Sequence, residues 1–279
     1  MKVALITRIK EIIEQKEIDK FSKRLSVFQE NKHILKIYII SDQLSISKLP
    51  DLENEKIEFI PCDDQIDPTS PTSLNLAIKK LSKNKIDAFI VASRQVRIET
   101  NNLDELITKC ENDKKLLVAG YKFKIEFNDQ KPNDEPRAIK LNNELQSYYQ
   151  DKTLIAYQAP WNTCAIWNYE LFKEYIKKFD GITKNKSGRE LCVRIDNVCR
   201  PTAHKGMEDG LAIAKATKKD SNIKFKLFES KLIWEIEKSK IFNHRLKLAR
   251  KEIVMRNFMK EKGYSEKTLL NGLLNSKNL

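Results

Sequence analysis

Short apolar runs alternate with helical periodicities over the first 120 residues, and no other feature restricts the architecture of the chain as much. Lys2 to Thr7 carries the continuous apolar run Val3-Ala4-Leu5-Ile6, the pattern of a strand buried on both faces. From Arg8 to Asn31, apolar residues recur at spacings of mostly three and four (Ile9, Ile12, Ile13, Ile18, Phe21, Leu25, Phe28), which predicts a helix. Ile34 to Ile40, Ile57 to Ile60, Ile86 to Ala92 and Leu116 to Ala119 read as further strands. Between them, Thr72 or Ser73 can cap a helix running to about Lys83, and another is expected from Leu103 to Asn112. Strand and helix in alternation predict an α/β fold with a mostly parallel sheet sandwiched by helices.

Sheets of that kind bind ligands beyond the carboxyl ends of their strands. Thr7-Arg8, Ser41-Asp42, Cys62-Asp63-Asp64 and Ser93-Arg94-Gln95 all fall just past predicted strand ends and outline a polar rim suited to a nucleotide. The usual phosphate loops are missing: there is no G-x-x-x-x-G-K-[ST] or G-x-G-x-x-G, and the early loops contain no glycine. G-x-S-x-G and H-E-x-x-H are absent too, which removes the serine hydrolase and zincin classes.

The second half holds the sharpest motif. In His204-Lys205-Gly206-Met207-Glu208-Asp209-Gly210-Leu211, two adjacent carboxylates stand between two of only seven glycines, and an alanine-rich helical pattern follows. Glycine on both sides lets the backbone turn sharply and leaves room beside the acids. A carboxylate there can act as general base toward a hydroxyl nucleophile. The same residues also suit an ordinary helix start, where acids favour the N-terminal dipole. Upstream, the polar stretch 121–150 reads as an excursion over the sheet. Thr163 to Trp167 reads as a strand, and Asn168 as the cap of a helix ended by Asp180-Gly181. Ile182 to Ala203 is expected to be a mobile loop, Ile223 to Phe228 a half-exposed strand, and the end of the chain a long amphipathic helix.

A formal charge of +13 points to anionic partners without choosing among them. Residues 231–279 hold twelve Lys or Arg against five Glu, a local excess of about +7. Nucleic acid is not expected, since no RNP-like strand, zinc-finger spacing or recognition helix with a basic arm is present. The basic tail can dock on anionic lipid or pack its apolar face on the rest of the protein. Five cysteines without a C-x-x-C pair suit a reduced, cytoplasmic protein and give no support to a zinc site. No stretch has the length of a membrane span or of a signal-peptide core.

This order of parts resembles the GT-A glycosyltransferases, closest to the family 2-like nucleotide-diphospho-sugar transferases, over about residues 1–235. The rest, 236–279, is a basic helical C-terminal extension. A Trp-Asn-rich segment (Trp161-Asn162 through Trp167-Asn168) entering a helix that ends Phe179-Asp180-Gly181 resembles the acceptor side of that family, and Gly206-Met-Glu-Asp-Gly210 resembles its acidic motif. The resemblance implies transfer of a sugar from a nucleotide-sugar donor to a hydroxyl acceptor, glycan or lipid-linked, with inversion. Asp209 or Glu208 would be the base, and Thr7 and Asp42 would lie near the nucleotide base. Trp161, Asn162, His204 and Lys205 would form the donor and acceptor rim. Leu74-Asn75-Leu76-Ala77-Ile78 resembles the helix preceding the family's metal-binding strand end. The chain departs from the family there. An Asp-x-Asp-like motif for a divalent metal (Mn or Mg) is expected, and the sequence reads Val91-Ala92-Ser93-Arg94-Gln95. A diphosphate leaving group needs cationic stabilisation, which Arg94, helped by Arg97 or Lys205, can supply in place of a metal. Weak metal binding through Asp63 or Asp64 is the other route. A non-catalytic binding module of the same fold, taking a nucleotide or anionic partner, is the alternative.

Overall fold

The computed structural model describes residues 1–10, 14–49, 52, 54–62, 66, 68–123, 160, 162–180, 192–195, 198–201, 208–234, 256, 259–260 and 263–264. Strands β1 (Val3–Arg8), β2 (Ile34–Asp42), β3 (Ile57–Cys62) and β4 (Ala88–Ser93) pair in parallel in the order β3-β2-β1-β4. The short β5 (Val96–Arg97) follows β4, and β6 (Leu116–Phe123), β7 (Cys164–Asn168) and β10 (Lys224–Trp234) complete an eight-stranded sheet, with β7-β6-β10-β5 beyond β4. β7 runs antiparallel between β4 and β6, so the residues just before it share an edge with the carboxyl ends of β1 and β4. A separate antiparallel pair, β8 (Cys192–Ile195) and β9 (Val198–Pro201), lies in the stretch expected to be a loop; paired backbone replaces that expectation.

Side chains that alternate between the two faces of each strand explain the layering. In β1, Val3 and Leu5 join one core with Phe21, Leu25 and Phe28 of α1 (Gln15–Glu30) and Leu103, Leu106 and Ile107 of α4 (Thr100–Asn112). Ala4 and Ile6 face the other way. They join Leu74, Ala77, Ile78 and Leu81 of α3 (Pro71–Leu81), Phe172 beyond α5 (Tyr169–Leu171), and Leu211 to Ala214 of α6 (Glu208–Lys219). Strands buried on both faces are the reason the sequence runs are continuously apolar.

Local chemistry sets the helix ends. Ser70, not Thr72 or Ser73, caps α3, accepting from the Ser73 N–H at 3.4 Å, and Pro71 occupies the first turn, where its missing N–H costs nothing. Asn168 caps α5 as expected, accepting from Leu171 N–H at 3.1 Å. That helix continues as a π-type turn over Phe172–Ile176 and stops at Lys177, whose φ of 69° is left-handed. Among the described residues of the tail, Met259 is fully buried in the same core as α6, and Tyr264 packs against it. β6 runs on to Phe123, so residues 121–123 of the expected excursion (121–150) are strand; its remainder and most of the expected C-terminal helix lie outside the described residues. No helix among the described residues is long and apolar enough to cross a membrane.

Candidate active site

Strand order reverses between β1 and β4: the chain moves outward through β2 and β3, then returns to the other side of β1. A crevice at the carboxyl ends of such neighbours is where an open α/β sheet accepts ligands. Arg8 and Ser93 are register partners there, and Ser93 N–H donates to Thr163 O at 2.8 Å, linking the loop before β7 to the same edge.

Glu208 and Asp209 open α6 at this edge, both buried at 0% and 3% exposure. Their partners come from distant sequence. Glu208 Oε1 accepts from Arg8 Nη2 at 3.0 Å, while Oε2 is buried without a partner among the described residues. Asp209 Oδ2 accepts from the Asn162 backbone N–H and Oδ1 from Gly210 N–H, each at 2.8 Å. Asn162 is itself buried: its Oδ1 accepts from Trp167 Nε1 at 2.9 Å, and its Nδ2 has no partner among the described residues. The helix start and the acid pair are one feature, since carboxylates at an N-terminus take up its free N–H groups.

The other rim residues divide into two groups. Thr7 is buried beside Arg8 at the end of β1. Asp42 ends β2 and caps the short α2 (Gln43–Ser47), taking Ser45 N–H and Ser45 Oγ at 2.8 Å each. Burial raises the pKa of Asp42, but these hydrogen bonds outweigh it and hold the carboxyl below its ordinary range. Arg94 turns toward α1: its Nη2 lies 3.6 Å from Glu17 Oε1, and its carbonyl accepts from Arg24 Nη1 at 2.8 Å. Gln95 N–H donates to Ser93 Oγ at 3.3 Å. Trp161, His204, Lys205, Asp63 and Asp64 lie outside the described residues. Cys164 packs fully buried, and burial pushes its thiol up to about 12.

At the end of β4 the side chains are a hydroxyl, a guanidinium and an amide, with no carboxylate. Hard divalent cations take anionic oxygens, so this donor set does not fit one. Among the described residues, no group of three or more His, Cys, Asp or Glu could hold a metal.

Two contributors escaped the sequence reading. Ser70 carries no signal beyond its position before Pro71. Asn75 bonds both ways to Phe179, donating from Nδ2 to the carbonyl and accepting the N–H at Oδ1, each at 2.9 Å. Nothing local marks that pairing.

No family model matches the chain, and no curated protein matches it in sequence. Solved structures do. Glucosyl-3-phosphoglycerate synthase from Mycobacterium tuberculosis, in complex with Mn2+, uridine diphosphate and phosphoglyceric acid, is similar over 95% of this chain and 80% of its own, with a TM-score of 0.53 at 6% identity. The mannosyltransferase PcManGT from Pyrobaculum calidifontis, in complex with GDP-Man and Mn2+, matches over 82% of this chain with a TM-score of 0.46 at 10% identity. This chain spans 54% of that enzyme's length. A 4-diphosphocytidyl-2C-methyl-D-erythritol synthase from Anaerococcus prevotii matches over 89% of this chain and 96% of its own, with a TM-score of 0.46 at 12% identity. At such identities the likeness is one of fold. Strand order and the likeness to the glucosyl-3-phosphoglycerate synthase agree, and the chain has a GT-A fold.

Proposed function

We propose that the protein transfers a sugar from a nucleotide-sugar donor to a hydroxyl acceptor with inversion. The observation that carries this reading is the acid pair held at the crevice between β1 and β4. Asp209, oriented by two backbone N–H groups, takes the acceptor's proton. The freed oxygen attacks the anomeric carbon, the bond from that carbon to the phosphate oxygen breaks, and the nucleoside diphosphate leaves. The nucleotide lies over the ends of β1, β2 and β4, near Thr7 and Asp42, with Ser93 and Gln95 at the diphosphate. Trp161, His204 and Lys205 are the residues we assign to the sugar and acceptor, while Asn162, its Oδ1 bonded to Trp167, acts through the backbone N–H that holds Asp209.

No step is routed through a divalent metal, because the residues ending β4 do not fit one. Arg94 supplies positive charge instead, leaving its long contact with Glu17 for the diphosphate. The acceptor is a glycan or lipid-linked hydroxyl. For the basic tail, burial of Met259 in the α6 core supports packing on the GT-A domain over peripheral membrane contact.

One observation favours a second reading. Both acids are buried and already engaged by the protein, as expected if the pair is structural and the chain a binding module for a nucleotide or anionic partner. A nucleotide-sugar panel scored by thermal shift, followed by transfer assays in EDTA, separates the two. For a transferase, Asp209→Asn should keep the donor-induced shift and lose transfer by about 100-fold or more. Donor stabilisation without transfer by the wild type selects the binding module. Turnover that vanishes in EDTA and returns with Mn2+ rejects the role given to Arg94.

A further inference from the structure

We propose that Arg8 is a positioning residue that fixes Glu208 against the loop opening α3, and that it does not bind the nucleotide. Its position at the end of β1 predicts a place on the nucleotide rim. Its side chain, however, is only 18% exposed and its terminal nitrogens are committed. Nη2 pairs with Glu208 Oε1 at 3.0 Å, and Nη1 donates to Thr69 O at 2.9 Å and Ser70 O at 3.3 Å. With both terminal nitrogens bonded to protein oxygens, the guanidinium has given up its end-on pair of donors, one of the two-pronged faces that can grip a diphosphate.

The carbonyls that Arg8 takes belong to a turn crowded with acceptors. Ser73 Oγ donates into the same turn, to Pro68 O at 2.6 Å and Ser70 O at 2.7 Å. Arg8 therefore joins β1, the start of α3 and the start of α6, across sequence separations of 61 to 200 residues. Removing Arg8 would leave the buried Glu208 carboxylate without its ion-pair partner. Anchored through Oε1, Glu208 holds Oε2 buried, with no partner for it among the described residues. An unpaired carboxylate oxygen beside a proposed base has the chemistry to accept a hydroxyl hydrogen of the sugar or acceptor where one reaches it. That last assignment rests on the transferase reading; the clamp does not.

A double-mutant cycle on the full chain tests it. R8Q strands a buried carboxylate, so it should lower the Tm more than E208Q does. The R8Q/E208Q double variant should unfold about 5 °C above R8Q alone. A double variant showing the summed losses of the two singles overturns the clamp. With UDP and GDP as probes, R8Q should keep the wild-type nucleotide-induced shift; its loss makes Arg8 a nucleotide ligand and overturns the proposal. If R8Q does not fold, R8K and R8K/E208Q serve in the same cycle, read by the same criterion. In transfer assays, R8K should lower kcat about tenfold or more with donor KM within about twofold, and a change confined to KM counts against positioning. If no nucleotide stabilises the wild type, the transferase reading fails while the cycle still decides the clamp.

Discussion

Asp42 shows how much one side chain does at the edge of the sheet. Its two oxygens take the N–H and hydroxyl of Ser45, closing the first turn after β2. Because the folded carboxyl sits below its ordinary range, its contribution is present above the unfolded value of 3.8 and is lost as pH falls through the folded one. Asp42→Ala should therefore cost about 1 kcal/mol near neutrality, and the gap from wild type should close as pH falls from about 5 to about 2. Urea unfolding of both proteins across that range checks it; a gap independent of pH would mean the cap is not the cause. Glu208 and Asp209 were visible in the sequence as a pair flanked by glycines. Their partners were not, because Arg8 lies 200 residues from Glu208 and Asn162 lies 47 from Asp209.

Elements behave likewise, with their existence local and their docking not. The three-and-four spacing of α1 and α4 and the apolar runs of β1 to β4 are patterns of neighbours in sequence. The cap of α3 shifted to Ser70 because Pro71 fits the first helical position and puts the capping oxygen just before it. The two bonds between Asn75 and Phe179 tie α3 to the chain leaving the π turn. Asn75→Ala leaves a backbone N–H and carbonyl without these partners and should cost about 2 kcal/mol. Denaturant unfolding should show a lower midpoint with an unchanged slope. A loss under about 0.5 kcal/mol would mean that solvent replaces the pair.

Across the whole molecule, one sheet divides two cores. On the α3, α5 and α6 side, Phe172 sits among Phe89, Trp167 and Phe179 with ring centroids 5.1, 5.8 and 4.9 Å away. On the other side, Phe21 packs with Leu25, Phe28 and the α4 leucines. Phe172→Ala should cost about 3–5 kcal/mol, a Tm loss of about 10 °C. Combined with Phe21→Ala, the two losses should add within about 0.5 kcal/mol, because the side chains share no partners. Strong non-additivity in calorimetry would mean that the sheet transmits strain between its faces.

The α/β class was already determined by sequence, since hydrophobic periodicity follows from the geometry of single strands and helices. So was the acid pair as a candidate, because adjacent carboxylates between glycines are a covalent fact of the chain. Tertiary structure alone decided that β7 enters antiparallel beside β4 and brings Asn162 to Asp209. It also turned Arg8 inward to Glu208 and Arg94 toward Glu17. The physical reason is common to all three. Where a charge finds its partner depends on which strand ends the sheet places side by side, and no spacing along the chain encodes a contact across 200 residues.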